Sequence, residues 1–175
     1  MKILSNMNEL RSLCFGPCLV DSISPLSSLK HLTRLEIKSS PKLKEIPPLL
    51  NLQTFYIKNC SNFDYKMSIS KQKIPNLKNL SIILSNLKDD DLNFISEQFQ
   101  EQLESICLSY CVNLTENSIL NIQNYKKLIS FEARSLKIVN LEQSKMVWPI
   151  TIKHFDMRNC FSVNSSFFSS LSKNM

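Results

Sequence analysis

Glycine is almost missing from this chain: Gly16 is the only one in 175 residues. Phosphate-cradling loops need several glycines close together, so the common nucleotide-binding signatures are excluded. Histidine is nearly as scarce, with only His31 and His154. No CxxC pair occurs among the six cysteines, which removes the zinc-ribbon pattern. No stretch approaches the roughly 20 apolar residues of a membrane span. The opening Met1-Lys2-Ile3-Leu4-Ser5-Asn6 lacks the apolar core of a signal peptide. The formal charge is +6, yet no block of five or more basic residues exists. These absences point to an intracellular protein, cytoplasmic or nuclear, with no membrane segment and no cofactor motif.

What the chain does have is a repeat. A template of one apolar residue, two free positions, an apolar residue, one free position and a third apolar residue recurs seven times. It fits Leu10-Leu13-Phe15, Leu32-Leu35-Ile37, Leu52-Phe55-Ile57 and Leu77-Leu80-Ile82. It fits again at Leu103-Ile106-Leu108, Leu128-Phe131-Ala133 and Ile152-Phe155-Met157. Successive starts lie 22, 20, 25, 26, 25 and 24 residues apart. All six intervals fall in the roughly 20–29 residue range of leucine-rich repeats. Eight residues after each start stand Cys18, Ser40, Cys60, Ser85, Cys111, Leu136 and Cys160. Four of the six cysteines thus share one position, where a small side chain turns inward and bonds loop peptide groups. That explains the cysteine spacing better than disulfides do, and these thiols are expected to be reduced and buried.

Each template reads as a short strand, with its second and third apolar residues inside and the residues between them outside. No single unit can bury its own apolar stripe, so stability has to come from stacking on neighbours. The expected fold is therefore an α/β leucine-rich-repeat solenoid of about seven repeats, one domain spanning residues 1–175, with a parallel concave sheet. The return segments differ. Pro47-Pro48 forbids a helix in the second. In the fourth, Asp89-Asp90-Asp91 precede Leu92, Ile95 and Phe99 at helical spacing. In the fifth, Thr115 stands where a helix cap would precede Ile119 and Ile122. Extended convex segments are expected in the first half and helices in the second, the last one carrying Phe167, Phe168 and Leu171.

The run Leu103-Glu104-Ser105-Ile106-Cys107-Leu108-Ser109-Tyr110-Cys111-Val112-Asn113-Leu114-Thr115 resembles the cysteine-containing leucine-rich repeat of F-box proteins. The run from Ile152 to Val163, with Arg158-Asn159-Cys160, resembles it too. Leu43-Lys44-Glu45-Ile46-Pro47 and Ile57-Lys58-Asn59-Cys60 look more like repeats of plant-type immune receptors and bacterial effectors. The resemblance covers roughly residues 7 to 171. It implies the fold and a recognition or adaptor role. No F-box segment precedes the repeats, so a ubiquitin-ligase role stays an analogy.

Register assigns the outward side chains of the sheet. Two residues after each start come Ser12, Arg34, Thr54, Asn79, Ser105, Ser130 and His154. Four after come Cys14, Glu36, Tyr56, Ser81, Cys107, Glu132 and Asp156. Six after come Gly16, Lys38, Lys58, Ile83, Ser109, Arg134 and Arg158, with Ser109 expected to face solvent. The seventh row holds Pro17, Ser39, Asn59, Leu84, Tyr110, Ser135 and Asn159. Lys38 with Lys58, and Arg134 with Arg158, put like charges on adjacent strands, which an acidic partner would relieve. The other reading of that row is a solvated face balanced by Glu36, Glu132 and Asp156. Tyr56, Ile83, Leu84 and Tyr110 form an apolar and aromatic middle suited to contact, or else a register slip in the fourth repeat buries Ile83 or Leu84. Cys107, Glu132, His154 and Asp156 share the face, but an open sheet offers a metal or nucleophile little enclosure or secondary support.

We therefore expect a non-catalytic module without cofactor or metal. Its concave face would bind an acidic or mixed-charge protein through Lys38, Tyr56, Lys58, Ile83, Tyr110, Arg134, His154 and Arg158. The alternative is a structural subunit of a ribonucleoprotein, touching nucleic acid through its basic residues. Ile3, Leu4 and Met7 at one end and Phe167, Phe168 and Leu171 at the other are not polar caps, so a partner, self-association or further chain is expected to close at least one terminal repeat.

Overall fold

The computed structural model describes residues 7–138 and 147–160. It is an α/β chain with a single seven-stranded, all-parallel sheet in sequential order. The strands are β1 (Ser12–Phe15), β2 (Arg34–Lys38), β3 (Thr54–Lys58), β4 (Asn79–Ile83), β5 (Ser105–Cys107), β6 (Ser130–Glu132) and β7 (His154–Asp156). Every neighbouring pair is aligned template position on template position, from Ser12 opposite Arg34 to Glu132 opposite Asp156. This arrangement is consistent with a stack of repeats. Lys58 lies opposite Ile83, so the fourth strand carries no register slip.

Alternation divides the strands as expected. Leu35, Ile37, Phe55, Ile57, Leu80, Ile82, Ile106, Leu108, Phe131 and Ala133 are buried. The corresponding residues of the first strand, Leu13 and Phe15, are only half-buried, as is Phe155 in the last. Among the described residues β1 and β7 each pair on one side only, so their inner side chains lack a second neighbour.

The return segments close the other side of the core. The first contains a 3-10 turn over Ser24–Ser28 that buries Leu26. The second has no helix. The third contains one helical turn, α1 (Tyr65–Ser68), capped by Asp64, whose carboxylate accepts the Met67 N–H at 2.8 Å. The fourth forms α2 (Asp89–Phe99), which buries Leu92, Ile95 and Phe99. The fifth forms α3 (Glu116–Leu120), running into a 3-10 turn over Asn121–Asn124. The first half therefore holds extended chain and single turns, and the longer helices fall in the fourth and fifth returns, as expected. In the sixth return, 137–138 and 147–153 carry no helix. The expected helix at Phe167–Leu171 lies outside the described residues.

Three ladders stitch each unit to the next. On the side where the chain enters the sheet, the carbonyls of Arg11, Thr33, Gln53, Lys78, Glu104 and Ile129 each accept two N–H groups from the following unit. Beside them runs a side-chain ladder that composition does not reveal. Asn51 Nδ2 donates to the Lys30 carbonyl at 2.7 Å, and Asn76 Nδ2 to that of Leu50 at 2.7 Å. Gln102 Nε2 donates to the Pro75 and Leu77 carbonyls at 2.8 and 2.9 Å, and Thr151 Oγ1 to that of Leu128 at 2.6 Å.

On the exit side the backbone turns left-handed. Ser39, Asn59, Leu84, Tyr110, Ser135 and Asn159 all have φ between 48° and 63°. The N–H groups of Ser39, Asn59, Leu84, Tyr110 and Ser135 donate to the carbonyls of Lys58, Ile83, Ser109, Arg134 and Arg158 in the next unit. In the first unit the positive φ falls one residue earlier, at Gly16 (φ 125°), where a Cβ would lie 1.8 Å from the Lys38 carbonyl oxygen. The only glycine therefore stands where a side chain would collide with its neighbour.

The next residue in each unit points inward, and the cysteines among them are all free thiols. Cys111 Sγ lies 3.2 Å from the Ile82 carbonyl and 3.3 Å from Ser85 Oγ, and Cys160 Sγ lies 2.9 Å from the Ala133 carbonyl. Burial pushes the Cys111 thiol up to about 11 and raises those of Cys60 and Cys160. Cys18 departs from the expectation of burial. It is half-exposed because no unit stacks outside it among the described residues. Ser109 departs the other way. It is buried, with Oγ accepting the Arg134 N–H at 3.2 Å, because β5 ends at Cys107 and the chain has already begun to turn.

Native labelling with a thiolate-selective reagent should therefore modify Cys14 first, Cys18 and Cys107 more slowly, and Cys60, Cys111 and Cys160 last. Fast modification of Cys111, read by peptide mass mapping, would contradict the inward turn. Gln102→Ala removes two bonds to buried-side carbonyls. It should lower unfolding free energy in urea by about 1–2 kcal/mol, and unchanged stability would mean that water takes the place of the amide.

Candidate binding face of the sheet

The outward face is built by β1 to β7 from alternate residues, so its chemistry is set by side chains two apart on one strand and by those that register brings side by side. Two charge clusters and an apolar middle result.

The first cluster centres on Glu36 of β2. Its carboxylate accepts from Arg34 Nε at 3.0 Å and meets Lys38 Nζ at 3.0 Å, with Cys14 Sγ at 3.5 Å. The Arg34 and Lys38 charges hold the Glu36 carboxyl down at about 2, against an ordinary value of 4.5. Lys38 Nζ also sits 5.3 Å from the centre of the Tyr56 ring, in cation–π range.

The second cluster centres on Asp156 of β7. Arg158 donates to it through Nε at 3.0 and 3.1 Å and through a terminal nitrogen at 2.8 Å. Arg134, two residues after β6, donates through Nε at 2.6 Å and reaches Glu132 at 3.1 Å. Arg158 first, and Arg134 with it, hold the Asp156 carboxyl down at about 2, against 3.8. Asp156 thus braces β7 against β6.

Three of the basic side chains, Lys38, Arg134 and Arg158, meet carboxylates on the same face. Lys58 is the exception: it lies opposite Lys38 in register and makes no ion pair among the described residues. Exposed His154 likewise makes no ion pair there. Tyr56 and Ile83 are half-buried, while Leu84 and Tyr110 are exposed.

Cys107, Glu132, His154 and Asp156 share the face without converging. Cys107 Sγ lies 3.9 Å from Glu132 and 3.4 Å from Ser109 Oγ, while Asp156 is taken by the two arginines. Among the described residues no three His, Cys, Asp or Glu side chains gather as metal ligands. An open cavity of about 510 Å³ lies on another surface, lined by Asp64, Lys66, Asn86, Lys88, Asp90 and Asp91 among others. Asp64 and Asp91 are occupied there in capping α1 and α2. Asp89, also at the start of α2, binds Thr115 and Ser118 of the next unit. The helix start expected from its carboxylates therefore also joins α2 to α3.

Comparison with models of known protein families and with curated proteins finds no match to this chain. Among the described residues no helix is long and apolar enough to cross a membrane.

Both central carboxylates have a folded value below the unfolded one. Their contribution to stability is therefore complete above the unfolded values near 4 and is lost as pH falls toward 2. The stability gap between the wild type and an E36Q/D156N double variant should be open at pH 5 and nearly closed at pH 2. Urea unfolding across that range measures it. A gap that does not change with pH would mean that the two clusters hold no charge-dependent stability.

Proposed function

We propose that the chain is a single leucine-rich-repeat solenoid and a non-catalytic recognition module, binding another protein through the concave face of its sheet. One observation carries this reading: a continuous row of outward side chains on seven parallel strands, mixed in charge and apolar in the middle. Such a surface presents hydrogen-bonding, ionic and apolar groups to a partner at a spacing of about 4.8 Å. The cysteine-containing subtype resembled by Leu103–Thr115 and Ile152–Val163 is consistent with a substrate-recognition or adaptor role.

The charge pattern favours a protein over a nucleic acid. A phosphate track requires cations free to displace counterions. Arg34, Lys38, Arg134 and Arg158 are instead paired with carboxylates on the same face. A partner of mixed charge can exchange with those pairs. The half-buried Leu13 and Phe15 of β1 also suit closure of the first unit by a partner.

The test is site-specific photo-cross-linking in cells. A benzophenone side chain in place of Tyr56 or Ser81 should give adducts that protease destroys and nuclease leaves intact. The same group in place of Glu97 or Gln123, exposed on the return segments, should give none. Adducts only from positions 97 and 123 would overturn the binding face, and nuclease-sensitive adducts would establish the ribonucleoprotein reading instead.

A further inference from the structure

The left-handed turn that follows β2 to β7 is unfavourable for residues with a side chain, least so for asparagine and other short polar residues. Four of its six non-glycine occupants fit that rule: Ser39, Asn59, Ser135 and Asn159. The other two are Leu84 at φ 51° and Tyr110 at φ 63°, and they stand in adjacent units. Burial does not offset the cost, since Leu84 is 48% and Tyr110 44% exposed. Their units are joined directly, with the Leu84 N–H donating to the Ser109 carbonyl beside Tyr110. Ile83 lies next to Leu84, and Val112, 47% exposed, follows on the Tyr110 turn. Leu84 and Tyr110 thus stand in adjacent units in an unfavourable backbone state and exposed, with Ile83 and Val112 next to them in the chain.

The charges flanking this patch are unequal. On the β6 side Arg134 is held by Glu132 and Asp156. On the β3 side Lys58 lies directly opposite Ile83 and makes no ion pair among the described residues. The neighbouring Lys38 is turned to Glu36 and the Tyr56 ring. The patch therefore offers an apolar anchor with one uncommitted cation beside it, about one strand spacing away.

We propose that this rim, Leu84 and Tyr110 with Ile83 and Lys58, is the anchor site for an extended protein segment carrying an apolar side chain next to a carboxylate. The apolar side chain rests on Leu84 and Tyr110, and the carboxylate pairs with Lys58. The proposal rests on the reading of the sheet as a binding face and names the chemistry of its partner. It accounts for leucine and tyrosine at two turns where asparagine would fit the backbone better.

The probe is a capped six-residue peptide of alternating leucine and glutamate, titrated into the full chain and followed by amide chemical shifts. Perturbations are expected at residues 58, 83, 84 and 110. A leucine–lysine peptide and a serine–glutamate peptide should each bind at least tenfold more weakly. Leu84→Asn and Lys58→Glu should each weaken the leucine–glutamate peptide at least tenfold. Leu84→Asn should also leave the melting temperature unchanged or raise it, because asparagine relieves the turn. A lowered melting temperature would mean that Leu84 serves packing, and the proposal would fall. Equal binding of the leucine–lysine peptide, or no perturbation at this rim, would also overturn it. Perturbations confined to residues 34–38 or 132–158 would overturn this anchor and leave the sheet standing as a binding face. The cross-linking from positions 56 and 81 tests that broader reading independently.

Discussion

One backbone device, repeated down the chain, holds the rest in place: a residue in the left-handed region after β2 to β7, whose N–H after β2 to β6 is given to the carbonyl of the next unit. It turns the chain out of the sheet and extends the strand ladder by one more bond. It also points the following side chain inward, where Ser40, Cys60, Cys111 and Cys160 are buried among backbone carbonyls. With so little glycine, the chain meets the cost of this turn mostly with serine and asparagine. The single glycine is kept for the position where the Lys38 carbonyl leaves no room for a Cβ.

Because each turn bonds to the next unit, the units depend on one another. A lone strand of three to five residues with one apolar stripe cannot offset its own ordering entropy. Stacking covers both sides of every inner strand, so Phe55, Leu80, Ile106 and Phe131 are fully enclosed, whereas Leu13 and Phe155 at the ends of the described sheet are not. The return segments add a second layer of coupling, in which Asp89 of α2 accepts from Thr115 and Ser118 at α3.

Regular register then decides the chemistry of the outer face. It brings Arg134 to Asp156, while alternation within β2 places Lys38 beside Glu36, and these pairs neutralise most of the cations of the basic rows. What remains is a face of mixed charge with one uncommitted lysine beside an exposed apolar rim. In the proposed binding role, recognition would rest on the middle of the sheet more than on its basic ends.

The sequence by itself determined the strands, their order and their register. Apolar spacing alone says which side chains must point inward, and seven copies leave one way to align them. It also located the inward cysteines and the start of α2, since capping residues act within a few positions of one another. The side-chain ladder of Asn51, Asn76, Gln102 and Thr151 was not legible, because each amide or hydroxyl finds its acceptor in a neighbouring unit. The same holds for the fate of Ser109, Cys18 and the arginines. Ser109 looked outward by alternation, but the strand had already ended; Cys18 looked buried by analogy, but has no unit stacked outside it among the described residues. Whether a cation is free or paired depends on the rotamers of side chains two apart on a strand or on adjacent strands, and only the tertiary structure decides between them.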